Sequence, residues 1–253
     1  MLLQDRTAVI YGAGGSIGAA VARAYAREGA RVHLAGRTRE SLERVAAQIR
    51  DMGGVAETTQ VDALDESAVS GHADAVVARS GRVDICMNVI SYGDVHGTPL
   101  AEMTLEDFER PVRNAVRSQF LTSRAAARHM IRQGSGVILF FGGDGGRDPI
   151  RDYYIGGFQV ALDAIEALRR QLACELGAYG IRVLTLHSGG VPETLPADFE
   201  GRDAIVDMIV KPTMLKRAAT LEDVGKVAAF AASDRARALT ATGINITCGA
   251  VAD

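Results

Sequence analysis

Short apolar runs alternate along this chain with longer stretches in which apolar residues recur every three or four positions. That is the pattern of repeated strand–helix units around a parallel sheet. The strand-like runs fall at Thr7–Tyr11, Arg31–Ala35, Val55–Gln60, Val83–Met87, Gly136–Phe141, Ile181–His187 and Ile244–Thr247, with helical segments between them. The run Asp152–Ala178 carries Leu162, Ile165, Leu168, Leu172 and Leu176 on one stripe, which predicts a single long helix with an apolar face. Residues 191–212 break the alternation. That stretch is expected to form a mobile lid over a ligand, with a variable surface loop as the alternative. No linker or repeat interrupts the series, so the chain reads as one α/β domain.

Composition narrows the class further. At 253 residues and 47% hydrophobic content, one core can be buried without disulfides or a structural metal. The formal charge of −3, with dispersed arginines, gives no electrostatic footprint for nucleic acid. Cys86, Cys174 and Cys248 are widely spaced; Cys86 and Cys174 lie in apolar segments and read as buried thiols of a reducing compartment. No CxxC or HExxH spacing suggests a metal, and no apolar run reaches the ~18 residues of a membrane span. A cytoplasmic protein without a membrane partner is the expectation.

The first chemical motif is Gly12-Ala13-Gly14-Gly15-Ser16-Ile17-Gly18, which follows a strand and opens a helix. In that context glycines let the backbone turn tightly and approach a pyrophosphate, while the helix start presents free N–H groups and its positive end to the anion. A tight structural turn is the alternative. At the end of the second strand, where an NAD site carries an acidic residue for the ribose, this chain has Gly36-Arg37-Thr38-Arg39. A guanidinium there suits a 2′-phosphate, so NADP(H) is the expected cofactor, unless Arg37 is merely solvated at a strand end.

With these pieces in order, nearly the whole chain resembles the short-chain dehydrogenase/reductase family. GAGGSIG is similar to the TGxxxGIG loop, with serine (Ser16) at its middle glycine and tyrosine (Tyr11) in place of threonine. Val61-Asp62 resembles the pair that holds the adenine, and Asn88 ends a strand as in NNAG. Leu172–Leu176 and Gly180–Val183 resemble LAxEL and GIRVN; Ser188-Gly189 stands where PG is usual. Thr194 lies near the threonine that contacts the nicotinamide amide, and Thr242-Gly243 and Cys248-Gly249 resemble the TG and DGG of the last strand. The resemblance implies a Rossmann-type doubly wound sheet of seven parallel strands in a three-layer αβα sandwich. It also implies a homodimer or homotetramer, for which Gly156, Gly157, Ala161 and Ala164 are candidate sites of close helix contact.

The family's catalytic residues do not carry over. Ungapped counting back from Leu172, Glu175 and Arg182 puts its YxxxK on Phe158 and Leu162, its serine near Gly143 and its helix asparagine on Ala115, with Asn114 one residue out of register. The interval Gly136–His187 contains no serine, and no lysine precedes Lys211. Setting Tyr154 as the tyrosine would remove four residues from one helix and rotate its apolar face by about 40°. In the family reaction the tyrosine moves a proton while hydride passes to or from the nicotinamide, and the lysine lowers that tyrosine's pKa. Losing a positioned acid costs roughly 10²–10⁴ in rate. Replacement groups are sought in the loop Ser91–His96, in Asp144, Asp148, Tyr153 and Tyr154, and at His187, with Tyr154, Asp144 and His96 as the catalytic candidates. Aromatic wall, helix cap and exposed loop are the respective alternatives. Three readings follow. One is an atypical NADP(H) oxidoreductase acting on a small apolar, carbonyl, alkene or imine substrate. Another is a nonredox isomerase or cyclase using a dry pocket lined by Phe140, Phe141, Phe158 and Leu162. The third is a catalytically silent nucleotide-binding protein.

Overall fold

A computed structural model of the chain describes residues 1–143, 153–199 and 201–252. Seven strands, β1 (Thr7–Tyr11), β2 (Arg31–Gly36), β3 (Val55–Gln60), β4 (Ile85–Asn88), β5 (Gly136–Gly143), β6 (Ile181–Ser188) and β7 (Thr242–Asn245), form one sheet. Their order is β3-β2-β1-β4-β5-β6-β7, and every neighbouring pair is parallel. The helices among the described residues are α1 (Ser16–Arg27), α2 (Arg39–Asp51), α3 (Glu66–Ser80), α4 (Leu105–Gln133), α5 (Phe158–Leu176), α6 (Arg202–Val210) and α7 (Leu221–Ala232). Successive strands run outward from β1 on one side and from β4 on the other. The connections after β1 and β4 therefore diverge and open a crevice at the carboxyl ends of the central strands.

The near-continuous apolar strands are explained by a sheet buried on both faces. On one face, Ile10, Val32 and Leu34 pack with Val21 and Tyr25 of α1, Leu42, Val45 and Ile49 of α2, and Val224 and Ala228 of α7. On the other, Val9, Cys86, Ile138 and Phe140 pack with Val69 and Val76 of α3, Met130 of α4, and Leu162 and Ile165 of α5. Helix starts are set locally: Asp65, Thr104 and Thr220 each accept a bond from a first-turn N–H, and Thr220 and Asp223 complete a reciprocal capping box. No described helix is long and apolar enough to cross a membrane.

The structure corrects several sequence expectations. The long helix begins at Phe158, not at Asp152, which lies outside the described residues. Gly156 has φ +55°, and Gly157 lies so close to the Phe108 carbonyl of α4 that an added Cβ would overlap it. A continuous helix is incompatible with that positive φ and close approach. Gly157 and the fully buried Ala161 pack α5 against the rest of its own chain. β4 starts two residues later than the apolar run, because Asp84 is 3% exposed and binds the Thr7 N–H at 2.9 Å and the Arg82 guanidinium. β7 is displaced earlier, to the residues that pair with Leu184–His187. Cys86 is buried as expected, but Cys174 is exposed, a hundred degrees around α5 from buried Ala173. Residues 191–212 contain a short turn of helix at Pro192–Thr194 and then α6; Glu193 ties the start of this segment to the Leu221 N–H of α7.

Candidate functional site

At the end of β1, Gly12 turns the chain with φ +84°. A Cβ there would sit 2.7 Å from the Val89 carbonyl carbon, so a side chain would force apart the chain segments leaving β1 and β4. A Cβ on Gly18 would strike the Gly12 carbonyl oxygen, and one on Gly14 would lie 2.9 Å from Ser41 Cβ of α2. The loop is therefore held tightly to its own helix. Gly15 caps α1 without a side-chain bond, and no acidic residue occupies the first turn at Ser16, Ile17 and Gly18. The free N–H groups and the positive helix end are left for an anion.

Beyond β2, the exposed Arg37 guanidinium has no carboxylate partner among the described residues, while its carbonyl accepts from Gln60 Nε2 at 2.8 Å. The Val61 N–H bonds to the Gly36 carbonyl at 2.9 Å, which fixes the following Asp62 at the rim; its Oδ1 accepts from the Leu64 N–H at 3.0 Å. Uncapped helix donors, an exposed guanidinium and the absence of an acidic side chain between Gly36 and Arg39 make a donor set that fits a nicotinamide dinucleotide.

β4 carries the chain to the other side of the crevice. Asn88 is buried; its Nδ2 donates to Thr122 Oγ1 at 3.2 Å, and its Oδ1 accepts from the Ile90 N–H at 3.1 Å. It therefore holds the start of the next loop. In that loop Tyr92 is 4% exposed. Its hydroxyl accepts from Gln119 Nε2 at 3.0 Å, and burial pushes that hydroxyl up to about 12. Asn114 Nδ2 donates to the Tyr92 carbonyl at 2.9 Å, whereas Ala115, at the family's asparagine register, is fully buried and apolar. Farther along, His96 Nε2 lies 2.8 Å from Asp94 Oδ2. The imidazole beside Asp94 holds its carboxyl below the usual carboxylate range. The His96 ring packs 5.7 Å from the Phe158 ring and 5.5 Å, edge-on, from Tyr153; Tyr92 lies 6.3 Å from Phe158 on another side.

The four positions to which ungapped counting assigns the family residues carry apolar side chains or none. Phe158 heads α5 and is half-buried, Leu162 is 3% exposed beside Gly142, Ala115 is in the core, and Gly143 ends β5. Of the other candidates, Tyr154 is 55% exposed and precedes the helix; its carbonyl accepts from the Gly97 N–H at 2.8 Å. Asp144 and Asp148 lie outside the described residues. Thr194 is exposed, with Oγ1 donating to the Val191 carbonyl at 2.8 Å. His187 belongs to β6 itself and lies 3.2 Å from Glu166. Phe140 and Phe141 do not line a shared pocket: strand alternation turns Phe140 into one core and Phe141 toward the other. Asp94 lies in the candidate loop Ser91–His96 but was not assigned a role there; its signal is its place two residues before His96. Among the described residues no group of three or more metal-ligating side chains is gathered.

Comparison with known proteins agrees with this architecture. A family model described as enoyl-(acyl carrier protein) reductase matches residues 12–250. D-threitol dehydrogenase of Mycolicibacterium smegmatis is 30% identical over 98% of this chain and 93% of its own. Levodione reductase of Leifsonia aquatica is 29% identical over 97% of this chain and 94% of its own. A crystal structure of levodione reductase superposes with a TM-score of 0.89 at 28% identity, covering 98% of each chain. The structure of NAD+-bound xylitol dehydrogenase gives 0.86 at 25% identity, covering 97% of this chain and 99% of its own. The ordered glycine loop, the seven-stranded parallel sheet and these matches together establish that the chain belongs to the short-chain dehydrogenase/reductase family of oxidoreductases.

Proposed function

We propose that this protein is an NADP(H)-dependent oxidoreductase that transfers hydride without the family's tyrosine–lysine pair, acting on a small, largely apolar substrate with a polarised double bond. The observation that carries the reading is the pairing of an intact dinucleotide cradle with apolar side chains at Phe158 and Leu162. A vestigial protein has no need to leave the α1 donors uncapped, or to keep Gly12 and Gly18 where any Cβ would collide. The α1 N–H groups at Ser16, Ile17 and Gly18 would hold the pyrophosphate, Asp62 would lie near the adenine, and Arg37 would meet the 2′-phosphate through a charge-assisted fork. Thr194 would lie near the nicotinamide amide, with residues 191–212 as the segment over the substrate.

The bound cofactor supplies hydride chemistry; the chain's part is to orient the reactants, exclude water and manage one proton. Tyr92, Phe158 and Leu162 furnish an apolar wall for that purpose. Such a wall favours a substrate whose reacting bond is already electron-poor, since less assistance is required from a strong positioned acid. Paired fluorescence titrations with NADPH and NADH test the reading. Micromolar NADPH binding with NADH at least tenfold weaker supports it. Equal or reversed affinity overturns the cofactor assignment, and failure of both to bind overturns the redox reading in favour of a nonredox or silent protein.

A further inference from the structure

Four features mark the loop after β4. Its histidine, His96, carries a carboxylate partner on one nitrogen: Asp94 Oδ2 lies 2.8 Å from Nε2. The other nitrogen, Nδ1, takes no hydrogen-bond partner among the described residues, and the side chain retains 32% exposure. The ring rests against Phe158, at a centroid separation of 5.7 Å, where the family would carry its proton-donating hydroxyl. The loop also leaves the carboxyl end of β4 beside the switch point, which is where ligands of open parallel sheets bind.

We infer that His96 is the catalytic proton donor and acceptor that replaces the missing tyrosine, and that Asp94 is its positioning residue. This inference rests on the NADP(H) reading above. In the reductive direction, an electron-poor carbon of a C=O, C=C or C=N bond receives hydride from the reduced cofactor, leaving an electron pair on oxygen, carbon or nitrogen. The Nδ1–H bond of the imidazolium breaks and the new O–H, C–H or N–H bond forms. The substrate would then have gained two electrons and one hydrogen, as hydride, from the cofactor and one proton from the imidazolium. Asp94 fixes the ring so that Nε2–H stays engaged throughout, and water restores the proton at the exposed Nδ1. In the oxidative direction neutral Nδ1 accepts the proton instead.

The surroundings suit this role. Asp94 supplies the anion on the same loop, and Tyr153 packs edge-on from the segment before α5. From α4, Arg110 approaches the Gly93 carbonyl at 3.5 Å, with its charge engaged by Asp107. Phe158 contributes no titrating group.

The test uses binding alone and needs no substrate. Dissociation constants of NADP+ and NADPH are measured from pH 5.5 to 8 for the wild type, His96→Gln, His96→Lys and Asp94→Asn. The oxidised ring is cationic and the reduced ring neutral, while the 2′-phosphate, which also titrates near pH 6, is common to both and cancels in the ratio. If His96 faces the nicotinamide, the ratio Kd(NADP+)/Kd(NADPH) rises roughly three- to tenfold as pH falls through the histidine range. The ratio becomes flat and low in His96→Gln, and flat and high in His96→Lys, which carries a permanent cation. In Asp94→Asn the midpoint moves to lower pH, because the imidazolium has lost its anion. NADPH binding with a wild-type ratio that does not depend on pH, or with the same inflection in His96→Gln, overturns the role of His96 and leaves the cofactor reading standing. Absence of NADPH binding overturns both.

Discussion

The replacement Glu166→Gln is predicted to unsettle the fold strongly, although the residue lies outside the cofactor crevice. Glu166 projects from α5 toward β6, where its Oε2 accepts from Arg169 Nε at 3.0 Å and Nη2 at 2.7 Å; His187 Nε2 lies 3.2 Å from the other oxygen. The three side chains are 12%, 5% and 12% exposed. Burial opposes ionisation of Glu166, yet the two hydrogen bonds from Arg169 and its charge, with the His187 imidazole 3.2 Å away, outweigh it and hold the carboxyl at about 2. Relative to an ordinary value of 4.5, that corresponds to about 3 kcal/mol of folding free energy at neutral pH. The folded-state value is depressed, so this stability is fully present above pH 4.5 and drains away as pH falls toward 2. Glutamine keeps the shape but leaves the Arg169 cation buried without its anion, at a cost of about 3–5 kcal/mol. For a chain of this size the Tm should drop by roughly 6–20 °C. Thermal unfolding followed by circular dichroism at pH 7, 5, 4 and 3 measures it. The gap between wild type and variant should narrow below pH 4 and close only toward pH 2, and Glu166→Leu combined with Arg169→Leu should recover most of the loss. A loss under about 1 kcal/mol at pH 7, or a gap that is unchanged at pH 3, refutes the reasoning.

Other outcomes follow from the cradle and the apolar wall. Arg37→Glu should weaken NADPH by about 10–100-fold, the worth of a charge-assisted bond, while leaving NADH no weaker, as read by paired titrations. Gly18→Ala places a Cβ against the Gly12 carbonyl and should cost about 1–3 kcal/mol in urea unfolding, with cofactor affinity reduced at least tenfold. Leu162→Lys, which restores the family's residue type at a position 3% exposed, should destabilise by about 2–5 kcal/mol, because the ammonium enters an apolar cluster beside Phe158.

How far the sequence discloses this molecule depends on whether the information is local. The seven strands are legible because a sheet covered on both faces demands apolar runs, and the glycine loop because Gly12 and Gly18 tolerate no Cβ in their surroundings. The start of α5 is misread because apolar periodicity says nothing about Phe108, whose carbonyl presses on Gly157 from another helix; the Gly156-Gly157 pair was the available warning. The late start of β4 likewise depends on Asp84 finding Thr7 and Arg82. At the site, the expectation that Phe158 and Leu162 stand at the register of the family tyrosine and lysine comes from counting alone. The Asp94–His96 pair is not, since a loop gives no periodicity from which side-chain direction can be inferred. Glu166 and Arg169 fall on the same helical stripe as Leu162 and Ile165, but their neighbour His187 comes from β6, which helix periodicity does not show.

The central claim is that a retained dinucleotide cradle presents its reactive end to a crevice whose proton chemistry has moved from Phe158 to the neighbouring loop. It is tested most directly by intermolecular nuclear Overhauser effects in the NADPH complex, with the histidine and phenylalanine rings selectively labelled. The account predicts cross-peaks from the nicotinamide H4 protons to the rings of both His96 and Phe158. Cross-peaks confined to the adenosine half, with none from the nicotinamide to either ring, would contradict it.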